Sequence, residues 1–451
     1  MPNREIRLEF RDRIAKRRLA AFFTLTVGLL PLAATAQITE PLLPVPTPPS
    51  GPQAPAAPGQ PTHPSQTVTE RPRTEADALG LHIGDFFWFP RVELDETYNS
   101  NIFATSSAAT GDLSTVLQPS FDLLSSFPRN AVNLHGGAAS EFYAGHPAQN
   151  TLDGFVGTDG QLDVTAGSSL YGRAQASHLH VARTSANSPG NAAQPATYDV
   201  YTANAGYSQT GLRIGYQADI AIQNTQYDAV PLIGGGTLSQ SAQDTTIYEA
   251  ALRGSYELVP DYLGYIRVAR NLTDYQHTVP GGVRLDSTGY RADLGLQILP
   301  AHLLSGEIYA GYLSQSYRVG SSISGLDAGG RLVYNVTRLT TATLTGLRTV
   351  IPSNPSIGTT GAAYLATTVT GTVDHELLRN LLLNAKVSYE NDAFLGIFRT
   401  DNVLGISAGI KYLLNRNLYL GGSYGYQQRF STATGSSYAQ SILTVRLSTQ
   451  F

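Results

Sequence analysis

Leu443-Thr444-Val445-Arg446-Leu447-Ser448-Thr449-Gln450-Phe451 closes the chain as a strand with two unlike faces. Leu443, Val445, Leu447, Thr449 and Phe451 share one face, because successive side chains of an extended strand point to opposite sides. Thr444, Arg446, Ser448 and Gln450 share the other. Wound as a helix, the same residues would scatter their apolar side chains around the axis.

The pattern repeats upstream. In Leu212–Ile222, apolar Leu212, Ile214, Tyr216, Ile220 and Ile222 alternate with Arg213, Gly215, Gln217 and Asp219. Leu113–Leu123, Tyr290–Ile298 and Leu381–Tyr389 alternate in the same way. Short connections are expected near Pro128-Arg129-Asn130, Ala166-Gly167-Ser168, Gln209-Thr210-Gly211, Val259-Pro260-Asp261, Pro300-Ala301-His302, Val336-Thr337-Arg338, Asp374-His375-Glu376 and Leu414-Asn415-Arg416. They recur about every 40 residues, one antiparallel hairpin per repeat. Longer Gly/Ser/Asn/Pro-rich loops are expected between them, for example at 183–197, 228–243, 271–286 and 350–361. Short turns on one side and long loops on the other are the pattern of an outer-membrane barrel. The expectation is an all-β, antiparallel up-and-down transmembrane barrel of about 18 strands, between about 16 and 20. A β-propeller also fits a 40-residue period, but its blades hold four short strands with a Trp-Asp signature. Here each repeat holds two long strands, and the only tryptophan is Trp88.

Composition agrees. Of 451 residues 14% are charged, against about 25% in soluble domains, while Tyr numbers 25 and Gly 44. Lysine occurs only at 16, 386 and 411. One face of every strand must meet lipid, where Lys or Arg costs about 2–4 kcal/mol at mid-depth. There is no cysteine, which excludes disulfides, Cys-ligated metals and Cys nucleophiles. No basic block points to nucleic acid.

The N-terminus has the three parts of a secretory signal: seven basic residues from Arg4 to Arg18, an apolar run from Leu19 to Leu32, and Ala34-Thr35-Ala36 as the cleavage site. Arg17-Arg18 would also suit twin-arginine export, with ordinary secretion the expectation. Removing residues 1–36 leaves 23 basic and 31 acidic groups, a net charge of −8. Eleven of the 25 prolines fall within 37–75, so 37–84 is expected to be a disordered Pro-rich periplasmic segment, either a tether to a partner or a passive linker. The barrel is expected from 85 to 451.

Tyr98, Tyr201, Tyr207, Tyr248, Tyr256, Tyr262, Tyr334, Tyr389 and Tyr412 are in outward phase near strand ends, the place of an interfacial aromatic girdle. The same phase turns Asp95, Glu141, Asp159, Asp163, Glu257 and Glu390 inward. It gives as candidate pore-lining residues Arg91, Glu93, Asp122, Arg173, Arg213, Asp219, Glu249, Arg253, Arg267, Arg291, Asp293, Glu307, Arg331, Lys386, Lys411 and Arg446. They would either shape the field around a hydrophilic solute or pair with one another and line an inert interior. No plug domain is evident, although the Pro-rich segment could thread inside.

Other motifs carry no catalytic or metal chemistry. His375-Glu376-Leu377-Leu378-Arg379 lacks the second histidine of a zinc-protease helix. His178 and His180 have no third ligand in view, and Gly234-Gly235-Gly236 lacks a strand-then-helix context. No nucleophile, base and orienter are set out together, so no enzyme activity, cofactor or metal is expected.

Three stretches carry a resemblance. The terminal strand ending in Phe451 resembles the assembly signal read by the barrel-assembly machinery of Gram-negative bacteria. Phe89-Pro90 followed by Tyr98-Asn99-Ser100-Asn101-Ile102-Phe103 resembles the opening of the second family of outer-membrane β-barrel porins. Val373-Asp374-His375-Glu376-Leu377-Leu378-Arg379-Asn380 resembles that family's late turn. The resemblance implies a cell outer-membrane barrel, with some members linked to capsule or exopolysaccharide production, and carries over no catalytic residue. Expected partners are outer-membrane lipid and lipopolysaccharide, the assembly machinery, and a polysaccharide or periplasmic export partner. The N-terminal segment and the C-terminus would be periplasmic. The function expected is a porin-like channel for hydrophilic solutes. The alternative is a structural or surface-binding barrel with a closed lumen and partner-binding loops.

Overall fold

A computed structural model describes residues 66–451 apart from 212, 280, 281, 321 and 358–361. The expected signal peptide at 1–36, the Pro-rich residues up to 65, and Leu212 lie outside the described residues.

Eighteen long strands follow one another. They are β1 Phe86–Asn99, β2 Asp112–Ser125, β3 Ala131–Tyr143, β4 Thr151–Thr165, β5 Ser168–His180 and β6 Thr197–Gln209. Then come β7 Ile214–Tyr227, β8 Thr245–Val259, β9 Tyr262–Tyr275, β10 Ser287–Ile298, β11 Leu304–Tyr317 and β12 Ile323–Thr337. The last six are β13 Thr340–Pro352, β14 Ala363–Leu378, β15 Leu381–Phe394, β16 Thr400–Leu413, β17 Leu418–Ser431 and β18 Tyr438–Gln450. Each pairs antiparallel with its neighbours in sequence. The sheet closes where β18 pairs with β1, in a register running from Arg91 opposite Gln450 to Asn99 opposite Ile442. Closure satisfies every backbone ladder and leaves no edge, which is what a strand fold needs to cross lipid. Helical structure among the described residues is limited to three single 3-10 turns.

Eight connections of two to five residues lie at one end of the barrel, and the nine at the other end run from five to 17 residues. Strands β4, β8, β12 and β14 each carry a register shift just before their short turn. Gly167 and Asp261 take left-handed backbone conformations in two of these turns. The hairpin at Asp374-His375-Glu376 is corrected. Those residues belong to β14, Asp374 opposite Asn384 and His375 opposite Leu383, and the turn is Arg379-Asn380. Alternation persists there, with Val373 and Leu377 exposed on one face and Glu376 buried on the other, so the polar triplet continues the strand. Similarly, β9 extends to Tyr275 and β13 to Pro352, which shortens the loops expected at 271–286 and 350–361. The β12–β13 turn is Arg338-Leu339, with Thr337 ending β12.

The outer face is apolar. Leu252, Ile266, Val268 and Leu294 are all more than half exposed, and similar side chains continue around the barrel. An apolar surface of this extent belongs against lipid, because soluble monomers expose patches of only a few hundred Å². Tyr98, Tyr201, Tyr248, Tyr256, Tyr334, Tyr389 and Tyr412 are exposed on this face, while Tyr207 and Tyr262 are half-buried. Apolar packing among buried residues is concentrated at the long-loop end, for example Val181, Ala192, Ala196, Tyr198 and Val230.

Candidate functional site: a lumen bridged near both ends

The inward face is ionic, and its charges pair along the wall instead of across the lumen. At the β1–β18 seam the Arg446 guanidinium donates through Nε and Nη2 to the two oxygens of Asp95, both at 2.6 Å, and its Nη1 lies 2.9 Å from Glu93. Tyr419 donates to Glu93, and the Lys411 ammonium sits 3.8 Å from the Tyr419 ring centroid. Further round, Arg253 pairs with Glu307 at 3.3 Å and Arg267 with Asp293 at 2.8 Å, while Arg291 lies 3.8 Å from Asp327. A buried pair in such geometry has its charges compensated, and removing one partner leaves the other costly.

Aromatic rings flatten this wall. Tyr171 lies directly opposite Gly206, Tyr265 opposite Gly295, and Tyr309 opposite Gly329. A Cβ at any of those glycines would collide with the facing ring, so the missing side chain lets each tyrosine lie against the sheet. Arg253 then stacks 3.6 Å from the Tyr265 centroid and Arg267 4.9 Å from that of Tyr309.

Strand phase places fifteen of the sixteen candidate pore-lining residues on this inner face. Asp219 accepts from Tyr171, and Asp122, Glu249 and Lys386 share its side of the sheet. Arg173 and Arg331 are exposed on the inner wall. Arg213 is the exception. It precedes β7 in a short turn, and its guanidinium lies 5.1 Å from the ring centroid of Tyr256, on the outer face. Phe451 follows β18, and its N–H donates to the carbonyl of Pro90 at 3.2 Å. His178 and His180 each face a carboxylate, Asp199 at 2.8 Å and Asp153 at 2.9 Å. No group of three or more His, Cys, Asp or Glu residues suited to a metal is found among the described residues.

Two segments cross the space these strands enclose, where the sequence had shown no plug domain. The first is the loop 181–196 between β5 and β6. It reaches nine strands away, half the circumference, where Ala186 is buried among Ile351, Tyr364, Ala366 and Phe394. There the Asn354 N–H donates to Asn187 Oδ1 and Asn354 Nδ2 to the Asn187 carbonyl, both at 3.0 Å. Asn187 Nδ2 donates to the Pro352 carbonyl at 3.1 Å, and Arg429 of β17 donates to the Thr184 carbonyl. At the loop's root Arg183 holds Gln149 Oε1 through Nε at 2.9 Å and Nη2 at 2.7 Å, and burial pushes its guanidinium pKa down to about 10.

The second is residues 66–83, so the expected linker over 37–84 is corrected for this part, which packs in the short-turn mouth. The Val68 N–H donates to Thr341 Oγ1 of β13 at 2.9 Å, with Val68 only 1% exposed. Arg73 Nη2 donates to Glu376 of β14 at 2.9 Å and to the Val68 carbonyl at 2.8 Å, and Arg71 lies 3.6 Å from Glu376. Arg416 donates to the Thr74 carbonyl at 2.6 Å and Gln450 to that of Ala76 at 3.1 Å. Leu81–Ile83 then pairs with the start of β1. The strap therefore runs from β13 to β1 across six strand intervals. Burial lowers the pKa of Arg73, opposed by Glu376 beside it, and burial raises that of Asp77.

Sequence phase found the inner wall but missed Arg399 and Asp401, paired at 2.6 Å near the long-loop rim, because Arg399 lies in a loop. It also missed Arg73 and Glu376, whose pairing spans 303 residues.

No curated protein matches the sequence. Among solved structures, the chain is similar to the outer membrane protein OpdK of Pseudomonas aeruginosa, at 13% identity and a TM-score of 0.43, over 81% of this chain and 99% of that one. It is similar to OccAB3 of Acinetobacter baumannii at 13% identity and a TM-score of 0.42, with the same coverage. It is also similar to the FrpB iron transporter of Neisseria meningitidis at 10% identity and a TM-score of 0.43, over 82% and 83%. A family match covers residues 73–451, from the strap arginine through all eighteen strands, and the chain belongs to that family, described as putative beta-barrel porin 2.

Proposed function

We propose that this outer-membrane barrel is a passive channel for hydrophilic solutes, an exported polysaccharide among them, and that it acts without enzymatic chemistry. The short-turn end, with residues 66–83 and the C-terminus, is periplasmic, and the loop 181–196 lies toward the outside. The observation that carries the reading is the inner wall itself. Its charges are compensated in place, its tyrosines lie flat over glycines, and Arg173 and Arg331 remain exposed to a solute. A wall built only to be filled would have no need of flattened rings or exposed cations. Reconstitution in planar bilayers tests this: conductance is expected, with Arg331→Glu shifting ion selectivity toward cations. A sealed bilayer containing folded protein, identified by different gel mobility before and after boiling, rejects it.

The crossing loop and the strap favour one second reading, a structural or surface-binding barrel whose lumen stays closed and whose long loops bind a partner. Single-channel recording of the mature chain with and without residues 37–80 separates the two. A gated channel opens more fully without the strap, whereas a closed barrel stays silent in both forms.

A further inference from the structure

On the outer face between β3 and β9 the barrel wall is indented by an apolar groove of about 1150 Å³. Sites for drug-sized molecules measure about 300–1,000 Å³, so this one has room for a larger guest. Its floor follows one cross-strand row. Arg270 of β9 stands opposite Ala250 of β8, Ala250 opposite Ile220 of β7, and Ile220 opposite Ala205 of β6. Ala205 then faces Gly172 of β5, Gly172 faces Gly160 of β4, and the row ends at Val132 of β3. Leu170, Leu252 and Val268, all exposed, form the bank on the short-turn side. The row is oblique to the membrane. Arg270 is eight residues from the short-turn end of its strand, whereas Val132 is one residue from the same end of β3. The groove thus descends through the apolar band, the direction in which lipid chains also run.

At its upper end the chemistry changes sign. Tyr201, Tyr290, Tyr312 and Tyr389 are exposed on the outer face, and each stands eight residues from the short-turn end of its strand, level with Arg270. Two rows higher, Asn224, Thr246 and Asp274 make the outer face polar. Arg270 therefore lies at the interfacial girdle, where a cation facing outward costs far less than at mid-depth. Among the described residues none forms an ion pair with it. Asp274, the nearest acid along the same face, accepts from Arg284, and Asp219 turns inward to Tyr171. The acids that a second copy could bring from its outer strand faces are also engaged. Glu96 accepts from Thr115 at 2.8 Å, and Asp199 faces His178 at 2.8 Å. A guanidinium's planar fork of donors matches a phosphate, and an apolar groove running down from it matches a hydrocarbon chain.

We infer that this groove binds a phosphorylated lipid of the outer leaflet, with the head-group phosphate on Arg270 and acyl chain laid along Ala250, Ile220 and Ala205. In lipid no hydrophobic force drives chains onto protein, so a bound lipid is distinguished from bulk by close packing and by polar anchoring. The small floor residues supply the first and Arg270 the second. The inference rests on the orientation given with the channel reading, long loops outward, and not on a conducting lumen. It is tested by lipid binding, so that the site and the channel can fail separately.

The experiment is native mass spectrometry of the folded mature protein in detergent, titrated with lipid A, with phosphatidylcholine and inorganic phosphate as comparators. Lipid A is expected to bind more tightly than either comparator. Arg270→Gln should weaken it about tenfold or more, the loss expected for a charged hydrogen-bonding partner. Ala205→Leu with Ala250→Leu fills the groove while keeping the lipid face apolar, and should weaken binding with Arg270 in place. Arg213→Gln, which removes an outward cation at the opposite end of the barrel, should leave binding unchanged. Boiled and unboiled gel mobility confirms a folded barrel in each sample. The inference is overturned if lipid A does not bind, if phosphatidylcholine or free phosphate binds as tightly, or if Arg270→Gln or the filled groove has no effect. An equal loss in Arg213→Gln also overturns it, since binding would then be general attraction to charge. A dimer that the filled groove abolishes would assign the groove to a second copy instead. Conductance without lipid A binding would remove the site and leave the channel standing.

Discussion

Arg73, in the segment ahead of the first strand, donates to Glu376 near the end of β14 at 2.9 Å, and Glu376 is only 4% exposed. Arg71 lies 3.6 Å from the same carboxylate. A single acidic side chain thus holds two cations of a segment that crosses the short-turn mouth. Breaking a buried pair by removing one partner costs about 3–5 kcal/mol, because the other charge stays buried. Glu376→Gln should therefore release the strap. Trypsin should then cleave after Arg73, the bond after Arg71 being blocked by Pro72, in folded protein at least about a hundredfold faster than in the wild type, which about 3 kcal/mol of lost docking allows. Unchanged protection would show that the strap is held by Val68 and the backbone contacts alone.

The loop 181–196 is tied to the far wall by three hydrogen bonds between Asn187 and the Pro352–Asn354 segment. Each is worth about 1 kcal/mol net. Asn187→Ala with Asn354→Ala should lower amide-exchange protection across 184–190 by about ten- to a hundredfold, with strand protection unchanged. In bilayers the same variant should show larger and noisier currents. Normal exchange in the loop would mean that Ala186 and the Arg429–Thr184 contact suffice to hold it.

Gly295 faces Tyr265, and a Cβ there would meet the ring. Gly295→Val forces the ring off the wall and with it the Arg253 guanidinium stacked upon it. Overpacking of this kind costs about 1–3 kcal/mol. The unboiled, folded form should convert to the unfolded form at a lower temperature than in the wild type. Gly254→Val, where a Cβ meets nothing within 4 Å, is the control and should convert at the wild-type temperature.

Arg446 closes the β1–β18 seam by binding both Asp95 and Glu93. Arg446→Ala leaves two inward carboxylates at the pairing that closes the barrel. It should reduce the fraction of heat-modifiable barrel recovered on refolding, and Arg446→Ala with Asp95→Asn and Glu93→Gln should restore part of it. A triple variant no better than the single would show that the arginine acts by packing and not by charge.

The strands were legible because their cause is local. A period of two follows from the geometry of an extended chain, and lipid on one side makes the outer set apolar. Leu443, Val445 and Leu447 are accordingly exposed on the outside, and Arg446 is buried within. One local signal misled. Polar Asp374-His375-Glu376 has the composition of a turn, yet it lies in β14, because an inward face near a barrel mouth is polar in any case. Arg213 failed for a related reason: its phase was extrapolated one residue past the start of β7, into a turn where alternation no longer constrains direction.

By itself, the sequence determined the fold class, the strand number, the face of each strand and most of the inner wall, since each depends on neighbours a few residues apart and on the solvent they meet. Only the tertiary structure decided what fills the wall's interior. The strap is held by a residue 303 positions away, and the crossing loop by residues about 165 positions away. Such pairings leave no period in the chain, because their partners become neighbours only once the sheet has curved and closed.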